Sequence, residues 1–462
     1  MTHNVVIIGA GPAGMSAAIA LVEQGIHPTV IDENSKSGGQ IYRQQPENFT
    51  RTKKQLYGFD AKEAEQALKN WQTIEDKITY LPRHMVWNAS GQTLCLFDEV
   101  NSTYKEIAWD SLIIATGATD RILPFKGWTL PGVYTLGAAQ IALKNQGCTI
   151  GSDVVIAGNG PLLYLLAWQY LKAGANIKAI LDYSSFADQC KSSLKLIHAP
   201  KVMLKGLYYL ASLKRAGVKI IHNARLNEAE GDNKVTGIKW NNSKAPEQTH
   251  HITCNAIAFG YGLRSETQLA DLLGCQFHYH PIHHDWLPVL NEQQTSIPDL
   301  YMTGDNSGIS GVYAAQISGK KAANQILNKL GLPVSNKKAK KLNRQLNHLK
   351  IFSHGLAQAF PFPELWAQDV SDDTVVCRCE NITAGDIRTA IKTKNCTEIN
   401  QLKAHSRSGM GRCQGRVCST AIRELLAYET NNNSQNVGRI RSQSPLKPIP
   451  IVINEELADE AH

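Results

Sequence analysis

The sequence predicts an α/β protein with two Rossmann-type dinucleotide-binding units and a small helical domain that carries four thiols. Three observations predict it. Two buried β-branched runs, Asn4 to Ile8 and Asp153 to Ala157, each end in a glycine-rich turn that opens a helix pattern. A later stretch sets Cys377-Arg378-Cys379 against Cys413-Gln414-Gly415-Arg416-Val417-Cys418. A chain of 462 residues exceeds what one core holds, so about two to four domains are expected.

The first turn reads Gly9-Ala10-Gly11-Pro12-Ala13-Gly14 and enters an alanine-rich helix, Met15 to Glu23. A second strand, Pro28 to Ile31, ends in Asp32-Glu33, at the spacing of the dinucleotide fingerprint. Gly9 allows the tight turn, Gly11 lets the backbone approach a pyrophosphate, and Gly14 lets helix and strand pack closely. The helix N-terminus faces the phosphates, and Asp32 accepts from a ribose. This apolar run is broken by glycine and proline and has no basic leader, which argues against a signal or membrane segment. A cytoplasmic location is expected, with any inner-membrane contact peripheral and made through a complex.

The composition, 43% hydrophobic and 19% charged, is that of a globular protein. The net charge of +8 owes much to Lys337-Lys338-Ala339-Lys340-Lys341, which reads as a solvated linker or subunit contact. No aromatic residues interleave with the basic ones, so nucleic acid is not an expected partner.

The second turn reads Gly158-Asn159-Gly160-Pro161-Leu162-Leu163. A helix follows through Leu171, then a strand Ile177 to Leu181 ending at Asp182. Leucine replaces the third glycine, so NAD(P) is disfavoured and a vestigial or repurposed pocket is expected. Lys201 to Arg215 is an amphipathic helix and Val218 to Ile221 a strand. Asn255 to Gly260, with the turn Tyr261 to Ser265, reads as the return to the first domain. His278, His280, His283 and His284 match no ligand spacing and read as surface-loop residues. The candidate bases His3, His27 and His198 lie outside any catalytic motif, so no catalytic residue is assigned.

Phe360-Pro361-Phe362-Pro363 marks an extended linker. Thr383 with Asp386 caps a helix to about Lys394; a short helix follows over Glu398 to Ala404, and Ser419 to Tyr428 is helical. So small a domain, poor in large apolar side chains, would draw much of its stability from a metal. A Cys-x-Cys pair is tight for a zinc knuckle, and one close plus one wider pair suits a [2Fe–2S] cluster; zinc and a metal-free site remain alternatives. Arg378, Arg412 and Arg416 would offset the cluster's charge, and Gly409, Gly411 and Gly415 would free N–H groups toward sulfur. Cys396 has no partner in register.

Gly38-Gly39-Gln40-Ile41-Tyr42-Arg43, the strand ending Ala115-Thr116-Gly117, and Thr303-Gly304-Asp305 together resemble the FAD domain of the two-dinucleotide-domain flavoproteins. That resemblance implies the disulfide-reductase-like architecture and FAD contacts at Gly39, Gln40, Arg43, Thr116 and Gly117. It places Asp305 on the flavin ribityl or pyrophosphate and Val86 near the adenine. No cysteine follows Gly39 in Gln40 to Pro46, so thiol–disulfide exchange is not expected.

The stretch Arg407-Ser408-Gly409-Met410-Gly411-Arg412-Cys413, with the two cysteine pairs, resembles the bacterioferritin-associated-ferredoxin type of [2Fe–2S] domain. It is most similar to the form fused behind a flavoprotein domain in one family: hydrogen cyanide synthase B subunits, opine oxidase A subunits and D-hydroxyproline dehydrogenase alpha subunits. The likeness spans almost the whole chain, and Leu163 is part of it; Ser406 departs from an expected threonine. The resemblance implies Cys377, Cys379, Cys413 and Cys418 as cluster ligands. It implies a D-amino-acid-oxidase-like flavoprotein beta subunit that oxidises an amino acid, imino acid or opine. It also admits a small ferredoxin-like gamma subunit, an FMN at the subunit interface and a quinone acceptor. Two other classes stand beside it: an NAD(P)H-dependent reductase, and an assembly subunit holding an adenine nucleotide. The expected domains are 1–120 with 255–330 for FAD, 121–254 for the second Rossmann unit, 331–370 as linker, 371–430 for the cluster and 431–462 as extended tail.

Overall fold

The computed structural model describes residues 3–46 and 51–451; the last residues of the expected tail, 452–462, lie outside them. The first sheet is five-stranded and parallel, in the order Leu300–Met302, Ser111–Ile114, Val5–Ile8, Thr29–Asp32, Thr79–Pro82. Val5–Ile8 and Ser111–Ile114 are buried throughout, as strands covered on both faces must be. The helix Pro12–Val22 starts three residues earlier than its apolar pattern suggests, because Pro12 lacks the N–H that a first turn leaves unpaired. It packs against Val312–Lys329 at backbone distance. A Cβ on Gly14 would lie 1.9 Å from the Gly9 carbonyl oxygen, and one on Gly319 would lie 2.1 Å from that of Ala13. Val86 sits in a three-stranded antiparallel sheet, His84–Ser90, Thr93–Asp98 and Thr103–Ala108.

The second sheet runs Ile220–His222, Asn176–Asp182, Asp153–Asn159, Ala256–Tyr261, Val133–Thr135, again all parallel. Ala256–Tyr261 therefore belongs to this sheet and not to the returning half of the first domain. Its small residues let Gly158 and Gly260 approach so closely that a Cβ on Gly158 would meet the Gly260 carbonyl oxygen at 1.9 Å. The chain returns one step later, where Leu263–Ser265 pairs with Ala118–Asp120.

The expected linker contains a 24-residue helix, Asn336–Ala359, capped by Ser335. Its lysine run is the exposed first turn. The buried side, Leu346, Phe352, Gly355 and Ala359, packs against Val312–Lys329 and Ser193–Leu196. The cysteine domain consists of the hairpin Val375–Cys377 with Ile382–Thr383 and the helices Ala384–Lys394, Ile399–Ser406 and Ser419–Glu429. Contrary to the expectation of a weak core, Val376, Ile387, Leu402, Ile422, Leu425 and Leu426 are fully buried together, with Cys377 and Cys418 in the same cluster. No described helix is long and apolar enough to cross a membrane.

The histidines also depart from the surface-loop expectation. His278 and His280 lie on the strand Phe277–His280, and His283 and His284 in the turn that follows. Burial lowers the His283 imidazole to about 3 and that of His284 to about 4. The ring of His284 stacks on Phe362 with centroids 4.7 Å apart.

Candidate functional site

The first glycine turn builds a cradle in which backbone faces backbone. Gly9 is held at φ +101°, where a Cβ would strike the Ala115 carbonyl oxygen at 2.4 Å; a Cβ on Gly39 would lie 2.9 Å from Gly11 Cα. Side chains at these positions would collide with neighbouring backbone, so the glycines let the three turns pack into one cradle. Asp32 is buried at the end of its strand and accepts from Ala10 N at 2.5 Å and from Asn34 N at 2.7 Å. Two polar atoms beside it are buried with no partner, the Tyr80 hydroxyl and Arg43 Nε, while Arg43 Nη2 donates to Gln40 Oε1 at 2.9 Å. Orphaned donors around a carboxylate and an open glycine cradle fit a bound dinucleotide. Asp305 lies at the other side of the turn, where its Oδ1 accepts from Ser310 N at 2.9 Å and Gly311 N at 3.1 Å. Burial raises its carboxyl pKa. Thr116 donates to the Glu266 carbonyl at 2.9 Å, and Glu266 N to that of Gly117 at 3.0 Å.

The four thiols form a row. Cys377 contacts Cys418, Cys418 contacts Cys413, and Cys413 contacts Cys379. Cys377 and Cys418 are buried, Cys413 half-buried and Cys379 exposed. Hydrogen bonding from Cys418, helped by the backbone N–H groups of Gly409 and Glu380, lowers Cys377 to about 6. Cys418 and the N–H groups of Val417 and Gly415 lower Cys413 to about 5. Those donors favour thiolates at Cys377 and Cys413, whereas contacts with Cys377 and Cys413 raise the Cys418 thiol and burial raises that of Cys379. Gly411 gives the cysteine loop room, since a Cβ there would lie 2.3 Å from Cys379 Cβ. Among the described residues no three His, Cys, Asp or Glu side chains are grouped to hold one metal ion. The row of four thiols, paired by two close spacings, is a ligand set that two irons can share. Cys396 stands apart, buried against the Ala390 carbonyl.

Of the three arginines expected to offset cluster charge, two are engaged elsewhere. Arg378 lies over the Trp128 ring at 5.7 Å, and Arg416 pairs with Glu266 at 3.0 Å; Arg412 is exposed. Arg264, which in the sequence is only part of a turn, binds the cluster loop. Its Nη1 donates to the Arg416 carbonyl at 2.9 Å and to Ser419 Oγ at 2.8 Å. Gln268 donates to the Gln414 carbonyl at 2.7 Å. The loop carrying Cys413 and Cys418 is thus docked on the segment whose Glu266 holds Thr116 and Gly117.

The second glycine turn faces a groove occupied by the chain itself. Asn159 Nδ2 donates to the Pro361 carbonyl at 2.5 Å. Phe360 packs on Tyr164, centroids 6.2 Å apart, in the first turn of the helix Leu162–Lys172. Phe362 sits under Arg121 at 5.5 Å, and Trp366 Nε1 donates to the Pro124 carbonyl at 2.8 Å. Asp182, the acid at the end of the second strand, is fully buried and bonded to Ser184, Tyr164 and Gln189. The candidate bases are engaged locally: His3 with Ser111 at 2.9 Å, His27 with the Lys77 carbonyl at 2.9 Å and His198 with that of Lys195 at 3.3 Å.

Comparisons with known proteins agree with this geometry. Residues 3–319 match the pyridine nucleotide-disulphide oxidoreductase family, and residues 375–428 match the BFD-like [2Fe-2S] binding domain. The opine oxidase A subunit of Rhizobium meliloti is 34% identical over 100% of this chain and 88% of its own length. The hydrogen cyanide synthase HcnB subunit of Pseudomonas aeruginosa is 32% identical over the whole of both chains. The crystal structure of L-proline dehydrogenase from P. horikoshii shares the fold, with a TM-score of 0.71 at 18% identity over 98% of this chain and 79% of that one. The chain belongs to the family of opine oxidase A and hydrogen cyanide synthase HcnB subunits, oxidoreductase subunits in which a pyridine nucleotide-disulphide oxidoreductase fold precedes a BFD-like [2Fe-2S] binding domain.

Proposed function

We propose that this chain is the electron-handling subunit of a heteromeric dehydrogenase that oxidises an amino acid, imino acid or opine. A partner flavoprotein subunit of the D-amino-acid-oxidase type holds the substrate. Gly9, Gly11 and Gly14 bind the FAD pyrophosphate, Asp32 the ribose, and Asp305 with Gly117 the flavin side. Cys377, Cys379, Cys413 and Cys418 hold the cluster. When bound, the flavin supplies two-electron chemistry and the cluster one-electron transfer, a pairing suited to onward delivery to a quinone or similar carrier. Arg264 and Arg416 keep the cluster loop against the flavin side; Gly409 and Gly415 stabilise thiolate charge.

The observation that carries this reading is the filled second groove. Asn159, Tyr164 and Asp182, which would face a nicotinamide dinucleotide, are bonded to Pro361, to each other and to Ser184. A groove filled in this way disfavours NAD(P)H and supports entry of electrons from a partner. The test is anaerobic: the purified chain, yellow-brown with flavin and cluster, is mixed with NADH, and separately with proline derivatives, opines and glycine. No bleaching and no turnover are expected until the partner flavoprotein is added. Flavin reduction by NADH, or turnover by the chain alone, would overturn the reading.

A further inference from the structure

The C-terminal tail does more than extend from the cysteine domain. Its described residues turn back across the molecule and reach the first dinucleotide site. Arg439 pairs with Asp271 at 2.6 Å and covers the Phe277 ring at 4.0 Å; Ser442 N donates to the same Asp271 at 2.6 Å. Arg416, between two cluster ligands, donates from Nη1 to the Leu446 carbonyl at 2.7 Å. Leu446 N then donates to the Trp87 carbonyl at 2.8 Å. Its side chain is 4% exposed and packs in the cluster that contains Ile8, Ile31 and Val86. Ile8 and Ile31 immediately precede the Gly9 turn and Asp32. The next residue, Lys447, forms an ion pair with Glu33, and Tyr104 donates its hydroxyl to the Pro450 carbonyl.

We propose that residues 446–450 are a clasp over the adenosine end of the first dinucleotide site, with Lys447 the positioning residue that fixes Glu33 beside Asp32. Leu446 anchors the clasp in the apolar layer beneath the site, so the lysine reaches the acid-rich edge from a fixed point. Half-burial of the ammonium lowers its pKa, and Asp32 acts in the opposite direction. The ammonium supplies a positive counter-charge at the edge where Glu33 and Asp32 are adjacent. A bound adenine nucleotide can leave only when this contact opens. The clasp hangs from Arg416, so nucleotide retention is tied mechanically to the loop that carries Cys413 and Cys418.

The proposal rests on the first site holding an adenine nucleotide. The test compares the full chain with Lys447→Met, Lys447→Arg and a chain ending at Ser444, each carrying its cluster. Samples are washed repeatedly by ultrafiltration, and the adenine nucleotide retained is extracted with acid and quantified by absorbance. Melting temperatures of the nucleotide-free forms are measured in parallel. Lys447→Met and the shortened chain should lose nucleotide about tenfold faster, the factor expected for one charged contact. Lys447→Arg should retain it as wild type does, and the nucleotide-free Lys447→Met protein should melt with the wild type. Wild-type retention in Lys447→Met overturns the clasp and leaves the nucleotide site standing. A wild-type chain that carries no adenine nucleotide at all overturns both.

Discussion

Arg416 Nε lies 3.0 Å from Glu266 Oε2, and each side chain is about 15% exposed. This one pair joins the loop between two cluster thiols to the segment that holds Thr116 and Gly117. Breaking such a pair leaves a largely desolvated charge without its partner. Arg416→Ala should lower stability by about 2 kcal/mol. A double-mutant cycle with Glu266→Gln, followed by denaturant unfolding, should give a clear coupling energy, because removing both charges restores part of the loss. Additive single effects would show that the pair does not hold the two domains together.

Loss of one row member should abolish the cluster. Cys413→Ser is expected to remove both the visible absorbance and the acid-labile sulfide, since an alkoxide does not replace a thiolate ligand at neutral pH. Cys396→Ser should keep both, because that thiol is buried against Ala390 and away from the row. Iron and sulfide assays on the two variants decide the ligand set.

Acid should destabilise the fold through the histidine turn. His283 and His284 are held neutral in the fold, at about 3 and about 4, mainly by burial, against about 6.5 in an unfolded chain. Below the unfolded value the unfolded state binds more protons, so stability falls as pH drops from about 6.5 toward the folded values. Each histidine contributes at most about 1.4 kcal/mol per pH unit in that window. Unfolding midpoints between pH 7.5 and 5.5, above the carboxylate range, should decline in the wild type and decline less in a His283→Gln, His284→Gln variant. Equal slopes would refute the burial argument.

Gly14→Ala should cost more than any surface glycine change. The added Cβ would sit 1.9 Å from a backbone oxygen, and neither helix nor strand can yield without opening the sheet. A loss above about 3 kcal/mol, with loss of bound flavin, is expected. Gly25→Ala, where nothing lies within 4 Å but φ is +78°, should cost about 1 kcal/mol of backbone strain and leave flavin binding intact. Unfolding and flavin content of the two variants make the comparison.

Both glycine turns and the cysteine row were legible in the sequence because each is a local pattern with a local cause. What escaped was long-range. The helix Asn336–Ala359 was hidden because its buried stripe includes Gly355 and Ala359, which carry no hydrophobic signal, while its lysines resemble a linker. Ala256–Tyr261 reads as a buried strand in either domain, and only its neighbours fix the sheet. Phe360 and Phe362 look like linker residues, since their partners Tyr164 and His284 are far away in sequence. Arg264 and Glu266 carry no motif; an arginine and an acid flanking a serine gave no reason to expect a domain junction.

The strand Leu300–Met302 and the helix Val312–Lys329 complete the sheet that begins at Val5. On a ribosome, the second sheet has all its strands once Tyr261 has emerged, while the first waits for residues synthesised much later. The protein therefore acquires its second sheet before its first site exists. Lys447, which reaches Glu33, is translated later still. Between those two moments the cradle is formed and uncovered, and that interval is the natural window for a nucleotide to enter.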